Sequence, residues 1–215
     1  KDILEYILNV IAKELPQAVC IGSSTDGEMN NSEITTLNTV ITISVFKETT
    51  LKIVSVDEID SFSNGVKLAS LLCSEDTKLL ITFTDGAKTN GEEFLNGVSS
   101  INDKMLVCGG MAGDNADFMQ TFISCQNKIL TQGAVGVSLN SSSLKVCSAY
   151  NFNWSPIGIE HTIDEVIGNR VYKISGLTPL DFYEKYLGTY VASSLPATGI
   201  EFPLIIQRNK IPIAR

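Results

Sequence analysis

Two glycine-containing runs gather most of the groups that could engage a small molecule. The first is Ser23-Ser24-Thr25-Asp26-Gly27, which follows the apolar run Ala18-Val19-Cys20-Ile21. The second is Gly109-Gly110-Met111-Ala112-Gly113-Asp114-Asn115, which follows Met105–Cys108. Glycine lets a backbone approach a ligand closely, and hydroxyls, carboxylates and free N–H groups can then bind something polar or anionic. Asp85-Gly86 closes a third apolar run, a position where open α/β sheets place ligand-binding groups. This pattern gives Ser23, Ser24, Thr25, Asp85, Gly109, Gly110, Asp114 and Asn115 as candidate ligand-binding residues. Turn chemistry competes with that reading, since Asp-Gly and hydroxyl-rich stretches also make ordinary turns.

Catalysis and metal chemistry have less to draw on. Nucleophilic Ser23, Ser24 or Thr25 needs a base, and His161 is the single histidine. Neither serine stands in a G-x-S-x-G elbow. The run from Cys108 to Asn115 lacks the G-K-[ST] ending of a nucleotide-phosphate loop. His161 could serve as an axial haem ligand, against which stands an ordinary hydrogen-bonded or surface histidine. The five cysteines have no CxxC spacing and sit mostly in apolar runs, so they read as small hydrophobes in a reducing compartment. The expectation is a non-enzyme without a metal or cofactor, with a Ser/Cys hydrolase and a haem site as the competing readings.

The elements that must position these groups follow from periodicity. Residues 2–14 repeat apolar side chains at helical spacing, with Asp2 as a cap and Pro16 as a stop. Val19–Gly22 reads as a buried strand. Val40–Phe46 and Leu51–Val56 alternate apolar and polar residues, which predicts an antiparallel hairpin turning through Lys47–Thr50. Helices are expected over Asp60–Cys73, with Phe62, Val66, Ala69 and Leu72 inward, and over Glu92–Ile101, with Phe94, Leu95, Val98 and Ile101 inward. Strands are expected at Leu79–Thr84, Met105–Cys108, Thr121–Cys125, Ala134–Leu139 and Leu144–Tyr150. Thr162–Val166 and Arg170–Ile174 form a pair turning at Gly168-Asn169, and Thr178 caps a helix over Pro179–Leu187. The fold class is mixed α/β with largely antiparallel sheets.

Two segments repeat one order of elements, a helix, then Val19-Cys20-Ile21-Gly22 or Val107-Cys108-Gly109-Gly110, then a polar loop, then strands. They end in Leu51–Ser55 and Leu144–Ser148, which suggests two pseudo-repeated lobes with the two loops in equivalent places. The composition excludes other partners. A net charge of -8 without a basic stripe opposes nucleic acid and anionic membrane surfaces. No apolar run approaches the roughly 20 residues of a bilayer span.

At its loops the chain resembles the FIST family, a sensory module of intracellular signal-transduction proteins. The residues that carry the likeness run in order along the chain. They are Ile21–Glu28, Gly91–Gly97, Val107–Asp114, Gly133–Val137, Trp154–Gly158, Gly168–Tyr172 and the helix after Gly176. The resemblance implies an amino-terminal sensory domain over residues 1–200 and the start of a carboxy-terminal half at 201–215. It implies a cytoplasmic input domain that binds a small molecule, with amino acids as one ligand class. It also implies a fused kinase, chemotaxis or cyclic-nucleotide output domain, and a haem-based nitric oxide sensor as an alternative.

Overall fold

The computed structural model describes residues 1–149, 155–208 and 211–214. The chain divides into two compact units, Lys1–Ser148 and Ala149–Arg215. The first holds α1 (Asp2–Glu14), β1 (Ile21–Ser23), β2 (Glu28–Asn30), β3 (Glu33–Thr35) and β4 (Thr50–Val56). It continues through α2 (Ser61–Leu72), β5 (Thr77–Thr84), α3 (Gly91–Ile101), β6 (Val107–Met111), β7 (Ile123–Cys125), β8 (Lys128–Leu130) and β9 (Ala134–Asn140). The second holds β10 (Ile163–Ile167), β11 (Arg170–Ile174), α4 (Pro179–Leu187), α5 (Thr189–Ser193), α6 (Thr198–Glu201), β12 (Ile205–Arg208) and β13 (Ile211–Ala214).

The first unit is built on a four-stranded sheet in the order β4-β9-β5-β6. β9 pairs antiparallel with both β4 and β5, while β6 lies parallel to β5 after the crossover through α3. All seven residues of β9 are buried, because both faces of the sheet are covered. On one face Val56, Leu80 and Ala134 pack with Leu68, Ala69, Leu72, Phe94 and Val98 of the helices. On the other, Val135 and Phe83 pack with Ile21, Ile123, Cys125 and Leu130 of a small sheet ordered β1-β7-β8. This is a mixed α/β architecture with mostly antiparallel pairing, as the sequence pattern indicated.

Both helices on the sheet start at side-chain caps. Asp60 accepts from the Ser63 amide at 2.7 Å, and Asn90 accepts from the amides of Glu92 and Glu93. The helices then meet backbone to backbone. A Cβ at Gly65 would strike the Phe94 carbonyl, and one at Gly97 would strike that of Phe62. The expected faces hold at Ala69, Leu72, Phe94 and Val98, and this contact adds Gly65 and Gly97 to them. Gly65, Leu68, Ala69 and Leu72 face inward on α2, and Phe94, Gly97 and Val98 on α3. Phe62, Leu95 and Ile101 stay substantially exposed.

Other expectations are corrected by the backbone. Lys1, not Asp2, is the N-cap position of α1, and no side chain bonds there. Val40–Phe46 forms no strand and no hairpin with Leu51–Val56, because β4 takes β9 as its partner. Leu144–Ala149 is likewise without strand structure, and Tyr150 lies outside the described residues. Gly109–Met111, expected as loop, continues β6. Gly109 sits at φ +137° with no room for a Cβ beside the Thr82 carbonyl, so only glycine can extend the strand there.

In the second unit β10 and β11 form the expected hairpin through Gly168-Asn169. Thr178 caps α4 by accepting from the Asp181 amide at 3.2 Å. Among the described residues, no helix is long and apolar enough to cross a membrane.

Candidate functional site

The connections at one end of the four-stranded sheet converge. They follow β4, β5 and β6 and precede β9. This is the carboxyl end of the parallel pair β5 and β6, the end where α/β sheets hold ligands.

Asp85 anchors the end. It follows β5 and is 1 % exposed. Its carboxylate accepts from the Lys88 amide at 2.6 Å, the Thr89 amide at 3.3 Å and hydroxyl at 2.6 Å, and the Gly133 amide at 3.0 Å. A buried carboxylate without a positive partner needs such donors, each charge-assisted. Asp85 thereby ties the loop after β5 to the start of β9. Around it, Lys88 Nζ donates to Gln132 and Gln132 donates to both oxygens of Asp57. The Gly86 amide donates to the Thr121 hydroxyl at 2.9 Å.

The two glycine runs interlock beside it. The Ser24 hydroxyl donates to the Gly113 carbonyl at 2.6 Å and accepts from the Phe122 amide at 3.0 Å. The Gly113 amide donates to the Ser24 carbonyl at 2.9 Å. Asp26 Oδ1 accepts from the amides of Asp114, Asn115 and Ala116 at 3.0, 2.7 and 3.3 Å. Asn115 and Ala116 hold left-handed φ values of 60° and 61°, which turn consecutive N–H groups toward one point and make an anion nest. Asp114 repeats the device, accepting from the amides of Phe118, Met119 and Gln120. Burial alone would raise its pKa, but the amides of Met119, Phe118 and Gln120 outweigh that and hold its carboxyl below the usual range.

The eight candidate residues therefore divide. Ser24, Asp114 and Asn115 come together in the interlocked loops, and Asp85 lies at the same end of the sheet. Ser23 is in β1 opposite Ile123, and the Thr25 hydroxyl donates to Glu28. Gly109 and Gly110 lie upstream in β6, the exposed edge strand. Sequence reasoning weighed Asp26 with Asp85 and Asp114 as a ligand group but ranked it lower, although its three amide contacts join the runs, and it left out the partners Thr89, Thr121 and Gln132. The signal at Asp26 was an acid between a hydroxyl run and a glycine, which turn chemistry also explains. The end also carries Thr84, whose buried hydroxyl has no partner among the described residues, and the exposed Phe118 and Met119.

Among the described residues, two depressions can be compared. One of about 350 Å³ lies against the first turns of α2, lined by Glu58, Phe62, Ser63, Val66 and Lys67. Its place after β4 puts it at the same end of the sheet, and Lys67 pairs with Glu58 across it. The other, about 210 Å³, lies beneath α1, away from the converging loops, with Leu8, Ile11 and Cys20 in its lining.

His161 is in the second unit. Its Nδ1 is 3.2 Å from the Ser175 hydroxyl, and its ring packs on Phe182 and Tyr186 at centroid distances of 4.9 and 5.0 Å. The described residues contain no cluster of three or more His, Cys, Asp or Glu able to hold a metal. Burial raises the thiol pKa of Cys20, Cys73, Cys108 and Cys125, which disfavours their thiolates.

Residues 2–177 match the family model described as the FIST N domain. No curated protein and no solved structure matches the chain.

Proposed function

Since the chain belongs to the FIST family of sensory domains, we propose that it is a small-molecule input domain whose ligand docks at the loop end of the four-stranded sheet. The observation that supports this reading is the convergence of four connections at the carboxyl ends of β5 and β6, around the buried Asp85. The depression beside α2 supplies space of small-ligand size. Its lining of an acid, a base, a hydroxyl and two apolar side chains suits a zwitterionic metabolite such as an amino acid. In this reading Asp85, Asp26, Ser24 and Asp114 fix the loops, Phe62, Asn115 and Phe118 remain to meet the ligand, and Lys67 exchanges its Glu58 partner for it.

The domain acts without catalysis or cofactor and passes its state to an output domain of kinase, chemotaxis or cyclic-nucleotide type in the cytoplasm. Ligand binding biases the arrangement of the loops, and the signal is that population shift. A thermal-shift screen with amino acids, common metabolites and haemin tests the reading. A ligand at one hundred times its Kd adds about 2.7 kcal/mol, a shift of roughly 5 to 11 °C for a domain of this size. A saturable shift with one chemical class, weakened in Lys67→Met or Phe118→Ala, is the expected result. A saturable haemin shift lost in His161→Ala would transfer the function to the second unit. No shift with any compound would leave an interaction scaffold.

A further inference from the structure

We infer that the β4–β9 ladder continues past its last pair as a two-stranded strap, formed by residues 42–46 and 144–148, which zips and unzips at the end of the sheet opposite the loops.

The register carries the inference. The ladder ends with Thr50 opposite Asn140. Three residues then follow on each side, 47–49 and 141–143, before the alternating segments begin at Phe46 and Leu144. Equal interruptions preserve register. The continued ladder sets Val45 against Lys145, Ser44 against Val146, Ile43 against Cys147 and Thr42 against Ser148. One face of the strap then carries Ile43, Val45 and Cys147, an apolar stripe that Lys145 alone interrupts.

The interruption is bridged rather than open. The Ser143 hydroxyl donates to the Glu48 carboxylate at 3.2 Å, and Asn140 Nδ2 donates to the Thr50 carbonyl at 3.2 Å. These contacts hold the two departing chains side by side. The Ser141 hydroxyl accepts from the amides of Ser143 and Leu144, a local turn that competes with strand pairing in the second chain. In the structure both segments are irregular, and Ile43 and Val45 are 68 % and 88 % exposed.

Opposed tendencies poise the strap. A two-stranded ribbon by itself is marginal in water. Here the adjoining ladder has already brought the chains together, which removes most of the closure entropy. The gain from pairing is small because no third layer covers the apolar face. Zipping converts 144–148, the last stretch before the second compact unit, from slack chain to fixed strand. It therefore acts on the connection between the units.

The test uses the full chain and its native Cys147. Ile43→Cys and Thr42→Cys are each oxidised mildly, and disulfides are mapped by mass spectrometry. A one-residue offset turns a side chain to the other face, so the thiol at 43 should join Cys147 about tenfold faster than the thiol at 42. Cys147→Ser in the first variant should abolish the product. Equal rates, or no cross-link in a variant with wild-type circular dichroism, would overturn the register. Amide exchange distinguishes a poised strap from a fixed one. Intermediate protection at 42–45 is expected, and protection equal to that of β4 would overturn the zipping equilibrium.

Discussion

The two ends of one sheet solve opposite problems. At the loop end, polar groups far apart in sequence are committed to one another. Asp85 reaches 48 residues to Gly133, and Asp26 reaches 88 to 90 residues to the amides after Gly113. At the strap end, two segments with strand patterning leave the sheet without a ladder between them. The loop end has given up freedom to fix a shape, and the strap end has kept freedom at the cost of exposed apolar side chains. A sensory domain needs both, a surface shaped for a ligand and a part whose state can change.

Substitutions should separate the ends. The largest effect is expected at Asp85. Asp85→Ala removes four contacts from a buried carboxylate and leaves the Gly133 amide without its acceptor. The expected loss is about 4 kcal/mol, or about 10 °C in Tm, read by thermal unfolding. A loss below about 1 kcal/mol would mean that the loop end is not fixed as described.

Acid should act next, through Asp114. Its folded pKa lies below the unfolded one, so its contribution is complete above the ordinary carboxylate range and is lost as pH falls through the folded value. Amide protection at Phe118, Met119 and Gln120 should drop over that interval, while protection in β9 persists. Simultaneous loss in both would place the two in one cooperative unit. The smallest effect belongs to the strap. Ile43→Ser should change stability by no more than about 0.5 kcal/mol in chemical denaturation, since the side chain is already exposed. A larger loss would show the strap closed most of the time.

The same contrast explains what the sequence made legible. Helix and strand periodicity placed α2, α3, β5 and α4 to within a few residues, and the short apolar run of β9 placed that fully buried strand. Pairing was less legible. Val40–Phe46 and Leu51–Val56 look like a hairpin when only neighbours are considered, yet β4 pairs with a strand about eighty to ninety residues away. Nothing local encodes that choice, since β9 is buried on both faces although one of them carries Ala134, Gly136, Ser138 and Asn140. The helix faces were legible at Ala69, Leu72, Phe94 and Val98 but missed at Gly65 and Gly97, for a related reason. Gly65 and Gly97 carry no hydrophobic signal, but their missing side chains decide which sides of α2 and α3 touch. Of the candidate residues, Ser24, Asp85, Asp114 and Asn115 share one end of the sheet. Residue types did not distinguish groups that build the loops from groups left to meet a ligand, since Ser24 and Asp114 have the same chemistry in either role.

The contact between Gly65 and Gly97 has a bearing on how this fold can be recombined. Side-chain interfaces can drift, one residue shrinking as its neighbour grows. Here main chain lies against main chain, so the interhelical spacing has no adjustable filler. The outer faces of α2 and α3 can change freely while the joint between them is inherited whole. Chimeras with related chains should keep residues 61–101 from a single parent and place their junctions in the loops outside that block.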